Sequence, residues 1–264
     1  MIIGIVGSQG IVGEALAAGF NRLDFTVICH DILINTRLID VLTTEIVYIC
    51  VPTPSNDDGS CNTSIVESVV DELYKLKYSG VIAIKSTIEP GTTQRLIDKH
   101  NDQIVFVPEF LKERSAKYDF VFNHRLLLVG TNNVNYYYLV QRSHGQYPKD
   151  SMRVTPVESE MMKYYWNTFN ATRITFANVL YEICQSNGAE YDRVKEAFLR
   201  SSDMPDEYLD VKPELRGYGG ACLPKDVLAM NNACKKLGIP NKLFEYIDKE
   251  NKLFKKTVFK GMRK

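Results

Sequence analysis

A cysteine followed closely by proline, lysine and aspartate is the feature of this chain with the clearest chemistry. Cys222 ends a glycine-rich stretch, and Pro224 suits the first turn of a helix, where no backbone N–H is required. A thiol just before a helix start lies at the positive end of the helix dipole, which favours the reactive thiolate. Asp226 follows about one helical turn later. Segment 217–226 therefore predicts a cysteine nucleophile, the alternative being a small buried cysteine in a glycine turn.

A second set of polar side chains is predicted on one face of a long helix. Residues 156–186 contain no internal glycine or proline, which indicates a single helix. Glu160, Lys163 and Asn167 are spaced i, i+3, i+7 and therefore share a face. A solvated stripe is the alternative interpretation of this triplet. Because so long a helix exceeds what a small domain can cover, we expect part of it to pack against a second copy of the chain.

The N-terminal segment has the order strand, glycine turn, helix, strand and acid that is typical of dinucleotide binding. Its glycine spacing is G-x-x-G-x-x-G instead of G-x-G-x-x-G, so an ordinary tight turn is the alternative. Asp31 at the end of the second strand would accept a ribose hydroxyl pair and repel a 2′-phosphate, which predicts NAD as cofactor. The predicted cofactor residues of this segment are Gly7, Gly10, Ile11, Val12, Gly13 and Asp31.

Apolar strands and helices continue to alternate along the first half of the chain, which predicts a Rossmann-like, doubly wound parallel sheet. Polar loops 51–54, 85–87 and 108–113 each follow a predicted strand. Since the carboxyl ends of parallel strands meet at one edge, these loops are expected to converge on one crevice. The fold class is therefore α/β, with an NAD-binding domain over residues 1–154 and an all-α dimerisation domain over residues 155–264.

Composition restricts the classes of partner. Lys plus Arg equal Asp plus Glu at 32 each, which gives no reason to expect a nucleic acid or an anionic membrane. The six cysteines have neither CxxC spacing nor metal-ligand spacing with the four histidines, so we expect no metal and reduced thiols. No apolar run approaches the ~18 residues of a membrane span, and the N-terminus lacks a basic leader. A cytoplasmic protein is predicted.

The chain resembles the UDP-glucose/GDP-mannose dehydrogenase family over nearly its whole length. Hydroxyacid dehydrogenases share a helical lysine and asparagine with this family, but the cysteine segment separates the two groups. The resemblance runs in order through Val51-Pro-Thr-Pro, Ile84-Lys-Ser-Thr-Ile, Pro108-Glu-Phe-Leu-Lys-Glu, Glu160-Met-Met-Lys-Tyr-Tyr-Trp-Asn-Thr and Gly217-Tyr-Gly-Gly-Ala-Cys-Leu-Pro-Lys-Asp.

The resemblance implies a four-electron oxidation of the C6 alcohol of a nucleotide sugar, UDP-glucose to UDP-glucuronate, with NAD as the oxidant. It implies that Lys163, Asn167 and a water held by Asp226 stabilise the alkoxide while the first hydride leaves. Cys222 would then add to the aldehyde, giving a thiohemiacetal and, after the second oxidation, a thioester. The implied partners are the nucleotide sugar and a second copy in a homodimer.

For thioester hydrolysis the resemblance implies Thr87, Glu109 and Glu113, which would position and deprotonate the water. The two glutamates are four residues apart, so on a short helix both would face the same side. Further NAD-binding residues are expected at Val51, Pro52, Thr53 and Thr87, and substrate-binding residues at Phe110, Leu111, Lys163, Asn167, Tyr218 and Gly219.

The chain also departs from the family pattern. Residues 32–45 are shorter than the strand and helix of the family, and the third domain, which holds the nucleotide half of the substrate, is expected to be absent. The basic tail 252–264 is expected to be a solvated helix end. Two other functions stay open: a non-catalytic dimeric protein that binds NAD or a nucleotide sugar, and a hydroxyacid dehydrogenase.

Overall fold

The computed structural model describes residues 1–240 and 242–254, and the chain divides into two compact units. The first unit comprises residues 1–54 and 61–163. The second comprises residues 55–60 together with the described part of 164–264. The domain boundary predicted after residue 154 remains a prediction, and most of the basic tail lies outside the described residues.

The first unit is built on one sheet with the strand order β2-β1-β3-β4-β5-β6-β7. Strands β1 to β5 are mutually parallel, which confirms the predicted Rossmann-like sheet. The difference is at one edge, where β6 runs antiparallel to β5 and β7 is parallel to β6. Antiparallel neighbours need no full crossover helix. The strands are β1 (Ile2–Val6), β2 (Thr26–His30), β3 (Ile46–Ile49), β4 (Val81–Ile84), β5 (Ile104–Phe106), β6 (Leu126–Gly130) and β7 (Asp150–Val154).

Helices cover both faces of this sheet. In β3, Ile46 and Tyr48 belong to one buried apolar cluster, and Val47 and Ile49 belong to another. Successive strand residues point to opposite faces, so a strand covered on both sides is apolar throughout. The helices of this unit are α1 (Ile11–Arg22), α2 (Ser64–Lys75), α3 (Thr92–Lys99), α4 (Ala116–Phe122) and α5 (Val134–His144), with 3-10 turns at Leu38–Thr43 and Glu113–Ser115.

The predicted long helix is present as α6 (Pro156–Ser186). It starts with a capping box, in which Thr155 N–H donates to Glu158 Oε2 at 2.7 Å and Glu158 N–H donates to Thr155 Oγ1 at 3.4 Å. The shorter helices predicted for the second unit are also present: α7 (Tyr191–Arg200), α8 (Leu223–Lys236) and α9 (Leu243–Leu253). In the part of the chain that the structure describes, no helix combines the length and apolarity that crossing a membrane requires.

Candidate active site

The glycine turn between β1 and α1 has a shape that side chains would prevent. Gly7 has a φ of 85°, in the left-handed region that favours glycine. A Cβ on Gly13 would lie 2.2 Å from the Gly7 carbonyl oxygen, so the helix approaches the turn closely because this residue is glycine. Gly10 closes the turn by donating its N–H to Gly7 O at 3.3 Å. The spacing G-x-x-G-x-x-G therefore brings backbone N–H groups to the start of a helix, where anions bind.

Asp31 lies directly beyond β2 and faces this turn. Its Oδ2 accepts the Gln9 N–H at 2.9 Å, and its Oδ1 accepts the Leu33 N–H at 3.0 Å. A carboxylate fixed next to a glycine turn at a helix start fits a dinucleotide, with pyrophosphate at the turn and a ribose diol at the acid. The predicted cofactor residues of the first segment are thus brought together.

The three strand-end loops of the first unit also meet, as predicted. Ser86 donates its hydroxyl to the Val51 carbonyl at 2.7 Å, which joins the loops after β3 and β4. Cys61 donates its thiol to the Thr87 carbonyl at 3.3 Å. The loop after β5 is joined to that after β4 through Lys85 and Glu109. Pro52 and Thr53 follow Val51 in irregular backbone at the same sheet edge.

Lys85 and Glu109 form an ion pair inside the first unit. Lys85 Nζ lies 3.0 Å from Glu109 Oε2, and both side chains are less than a tenth exposed. Glu109 Oε1 accepts the Phe110 N–H at 2.9 Å. Burial alone would raise the pKa of the Glu109 carboxyl, but the charges of Lys85 and His124 and the hydrogen bonds from Lys85 and Phe110 N–H together outweigh it, so this pKa lies below its ordinary value. Glu109 is therefore held as a buried carboxylate.

Lys163 is attached to the same loop. Its Nζ donates to the Glu109 carbonyl oxygen, and it lies 5.7 Å from the centre of the Phe110 ring. The ring face attracts the ammonium charge. The predicted residues Lys163, Glu109 and Phe110 are thus brought together, and Leu111 packs against the neighbouring apolar cluster.

Glu113 does not join this group, because the two glutamates do not lie on one short helix. Residues 107–112 are irregular, and Glu113 opens the 3-10 turn as an exposed side chain. The loop bonds to side chains instead of forming helical hydrogen bonds, since Lys112 N–H donates to Asp119 Oδ2 at 3.2 Å and Lys163 takes the Glu109 carbonyl. Glu113 instead lines a cavity of about 360 Å³ with Ile11 at the start of α1.

In the second unit, Cys222 occupies the predicted position at the start of a helix. It is the N-cap of α8, with proline in the first turn, and its side chain is exposed. Its carbonyl accepts the Asp226 N–H at 3.0 Å, the first hydrogen bond of the helix. The interpretation of Cys222 as a small buried residue is therefore wrong, and the thiol is accessible to a reagent.

Asp226 is fully buried on the first turn of α8, where two side chains bind it. Asn167 Nδ2 donates to its Oδ2 at 2.5 Å, and Lys225 Nζ lies 2.8 Å from its Oδ1. The charges of Lys225 and Asp226 offset one another, which is the condition for burying a carboxylate. The predicted partners Asn167 and Asp226 are thus in contact. Tyr218 is buried in the apolar cluster that includes Val227, while the neighbouring Gly219 is exposed.

The polar face of α6 is buried instead of solvated. Glu160, Lys163 and Asn167 are each less than a tenth exposed. Glu160 accepts the backbone N–H groups of Gly91 at 2.5 Å and Thr93 at 2.8 Å, and also the Thr93 hydroxyl. It thus caps the start of α3. The alternative of a solvated stripe is wrong for all three residues. Glu160 binds the start of α3 and not the loop or helix that Lys163 and Asn167 contact.

Sequence reasoning assigned no role to four residues that hold these groups in place. Lys85 had a signal, because a charged residue directly after four apolar strand residues is expected to need a buried partner. Lys225 adjoins Asp226, so its pairing was open to prediction. Asn178 and Asn251 bind the backbone of the cysteine loop, and nothing in a single sequence distinguishes them from other helical asparagines. Among the described residues, no group of His, Cys, Asp or Glu side chains could hold a metal ion.

A Rossmann-like sheet with a glycine turn and a facing acid defines a dinucleotide-binding protein. Residues 34–144 match the NAD binding domain of the UDP-glucose/GDP-mannose dehydrogenase family, and residues 157–253 match its central domain. These matches cover most of the chain, which therefore belongs to that family. The match to the NAD binding domain confirms NAD as the predicted cofactor.

One individual relative agrees with this assignment, and solved structures share the fold. The chain is 31% identical over 242 residues to the UDP-glucose 6-dehydrogenase of Rickettsia typhi. This alignment covers 88% of this chain and 53% of that protein. The chain thus spans about half the length of this relative. A UDP-glucose dehydrogenase structure from Pyrobaculum islandicum superposes with a TM-score of 0.86 at 23% identity, covering 96% of this chain and 68% of that one. The Mycobacterium tuberculosis 3-hydroxyisobutyrate dehydrogenase superposes with a TM-score of 0.77 at 13% identity, covering 96% of this chain and 93% of that one. At these identities the structures show a shared fold.

Proposed function

We propose that this protein oxidises the C6 alcohol of a nucleotide sugar to a carboxylate, with UDP-glucose as the first substrate to test. The observation that carries the proposal is the accessible Cys222 at the start of α8, with Asp226, buried and bound by Asn167, one turn further along the helix. An exposed thiol at a helix N-terminus suits a nucleophile. Family membership supports the reaction class. The hydroxyacid dehydrogenase alternative gives this cysteine no part in catalysis.

In the first oxidation the alcohol loses its hydroxyl proton and a hydride. Bound NAD would supply the acceptor for this hydride and for the second one. Lys163, Asn167 and Asp226 are proposed to hold the substrate oxygen and its proton, directly or through a water. A buried ammonium and an amide donor are suited to developing negative charge, and they are already fixed by Glu109 and Asp226 before substrate binds.

In the second half, the Cys222 sulfur would form a bond to the aldehyde carbon, and the carbonyl oxygen would take a proton to give a thiohemiacetal. Loss of the second hydride and of that proton leaves a thioester. Water then adds to the thioester carbon and the thiolate leaves, so the product is a carboxylate and Cys222 is regenerated. Thr87, Glu109 and Glu113 are proposed to orient this water and accept its proton. A cysteine suits both steps because it is a good nucleophile and a fair leaving group.

Turnover with NAD and a panel of UDP- and GDP-sugars tests the proposal. We expect two NADH for each uronate with UDP-glucose, and a Cys222 adduct in the mass spectrum when turnover is stopped early. Cys222→Ser should form no uronate, while Cys184→Ala, which removes a buried thiol elsewhere in the second unit, should retain turnover. Absence of turnover over the whole panel would reject the proposal and favour the non-catalytic binding protein. A Cys222→Ser variant with an unchanged rate would favour a hydroxyacid dehydrogenase.

A homodimer is also proposed, through α6. Its exposed residues include Tyr165, Phe169, Phe176 and Ile183, which are spaced by four or seven and form one apolar stripe. An apolar helix stripe in water is stabilised by a second apolar surface. Light scattering should give twice the chain mass, and Phe176→Glu should shift it towards the monomer. A wild-type monomer at working concentration would contradict the proposal. A cytoplasmic location remains a prediction.

A further inference from the structure

The loop that presents Cys222 contains little regular structure of its own. Arg216 to Ala221 lie between an isolated bridge at Leu215 and the start of α8. Gly217 has a φ of 63° and Gly220 a φ of 77°, both in the left-handed region. Glycine reaches this region without strain but loses more conformational freedom on folding than any other residue. Groups outside the loop must therefore select this conformation.

One such group is the side chain of Asn251 on α9, which is only 1% exposed. Its Oδ1 accepts the Tyr218 N–H at 2.7 Å, and its Nδ2 donates to the Tyr218 carbonyl at 3.0 Å. One amide thus satisfies both backbone groups of one loop residue, as a neighbouring strand would do. Asparagine is suited to this pairing because it carries a donor and an acceptor on one short, rigid group. We call this pair of hydrogen bonds the Asn251 clamp.

A second asparagine binds Gly217, the residue that precedes Tyr218. Asn178 on α6 accepts the Gly217 N–H at 3.1 Å and the Arg216 Nε–H at 2.8 Å with the same oxygen. A Cβ on Gly217 would lie 2.6 Å from Asn251 Oδ1, so the clamp requires glycine at this position. Two helices therefore fix consecutive residues of the loop through buried side-chain amides.

The clamp acts four residues before the thiol. Beyond Tyr218 the chain passes through two glycines and Ala221 to Cys222, whose carbonyl is fixed by the first hydrogen bond of α8. The Tyr218 ring packs in one apolar cluster with Val227 of α8 and Ile247 of α9. The loop is thus held at Tyr218 on one side and at Cys222, the N-cap of α8, on the other.

We propose that Asn251 is a positioning residue for the nucleophile: it holds the loop in the one conformation that presents the Cys222 thiol to the aldehyde. The proposal deepens the proposed function and rests on it for the role of Cys222. A purely structural Asn251 would affect stability alone. A positioning Asn251 affects the chemical steps at Cys222 and leaves the affinity for NAD, whose predicted residues lie in the first unit, unchanged.

Asn251→Ala and Asn251→Asp are the variants to compare. Alanine removes both hydrogen bonds, whereas aspartate keeps the acceptor for Tyr218 N–H and opposes the Tyr218 carbonyl with a second acceptor. Ile247→Val is the matched control, since it removes one methylene from the apolar cluster around Tyr218 and keeps both hydrogen bonds of the clamp. We expect both Asn251 variants to lower kcat by roughly tenfold or more, about 1.4 kcal/mol in the barrier, with the KM for NAD within about twofold of the control.

The rate of Cys222 alkylation by iodoacetamide, followed by mass spectrometry, is a second measurement that needs no sugar substrate. Displacing the loop from α8 takes the thiol away from the helix start, so both Asn251 variants should alkylate at a rate at least about threefold different from that of the control. If Asn251→Ala fails to fold, Gly217→Ala provides the same perturbation, because its Cβ pushes directly on Asn251 Oδ1. Circular dichroism identifies the folded variants.

Folded Asn251 variants that keep both kcat and the alkylation rate within about twofold of Ile247→Val would overturn the proposal while leaving the proposed function intact. An inactive wild-type chain whose Asn251 variants alkylate at a changed rate would give the reverse outcome. It would support the positioning of Cys222 by Asn251 and reject the proposed oxidation.

Discussion

The buried ion pair of Lys85 and Glu109 gives the sharpest test of the first unit, through the variant Lys85→Met. Methionine has a similar length but carries no charge, so the Glu109 carboxylate loses the partner that lies 3.0 Å from it. Removing one member of a buried pair typically costs about 3–5 kcal/mol, because the other charge stays buried without compensation. For a domain of this size class, that free energy lowers Tm by roughly 6–20 °C.

The pH dependence gives this prediction its sign. In the wild type the pKa of Glu109 is lowered on folding, so its stabilising contribution is present above the unfolded pKa of about 4.3 and is lost as the pH falls through the folded value. In Lys85→Met, burial without the lysine raises that pKa above the unfolded value, and stability then falls as the pH rises through it. The difference in unfolding free energy between the two proteins should therefore grow from about pH 4 to pH 7.

Urea unfolding at several pH values measures this difference. Lys99→Met is the matched control, because Lys99 pairs with Asp71 at 2.7 Å on the surface and should cost less than about 1 kcal/mol. The double variant Lys85→Met/Glu109→Gln removes the uncompensated charge and should recover part of the loss. A loss below about 1 kcal/mol that does not change with pH, or a double variant no more stable than Lys85→Met, would refute the reasoning.

Three further substitutions follow from particular contacts. Gly13→Ala places a Cβ 2.2 Å from the Gly7 carbonyl, so it should abolish NAD binding, as measured by calorimetry on folded protein; unchanged affinity would contradict the close approach. Glu160→Ala leaves the buried Thr93 N–H without an acceptor and should lower the unfolding free energy by about 1–3 kcal/mol, a result that an unchanged urea midpoint would exclude. Asp226→Asn keeps the side-chain volume but leaves the neighbouring ammonium uncompensated, so it should lower both Tm and the first-oxidation rate; unaltered NADH formation would argue against its place in the site.

The first unit was largely predictable because its signals are local. Apolar runs fix the strands, and the glycine turn and Asp31 follow from the rules of dinucleotide binding. The reversal of β6 was not predictable, because an apolar strand such as Leu126–Gly130 has the same pattern in either direction. The irregular backbone between Glu109 and Glu113 was not predictable for a related reason. The contacts that pull the loop out of helical geometry come from Lys163 and Asp119, which are distant in sequence.

The site in the second unit was predictable to the extent that it lies on a helix start. Proline after Cys222 set the start of α8, and helical spacing then set Asp226. The partners of these residues were not predictable from spacing. Asn251 reaches Tyr218 across 33 positions, and Asn178 reaches Gly217 across 39. Polar residues on helix faces are common, so only the fold identifies which of them bind a loop.

Glu109 occupies a motif position for which the role of general base was proposed, but its surroundings suit a different role. A general base works best when its pKa is near the working pH, but the charges and hydrogen bonds around Glu109, with Lys85 foremost, outweigh burial and hold its pKa below the ordinary value. A buried carboxylate of this kind is a weak base and a strong hydrogen-bond acceptor. In the proposed hydrolysis its part is therefore to orient the water, while its carbonyl oxygen accepts a hydrogen bond from the Lys163 ammonium. Removal of the proton in the proposed reaction therefore requires another group with access to solvent.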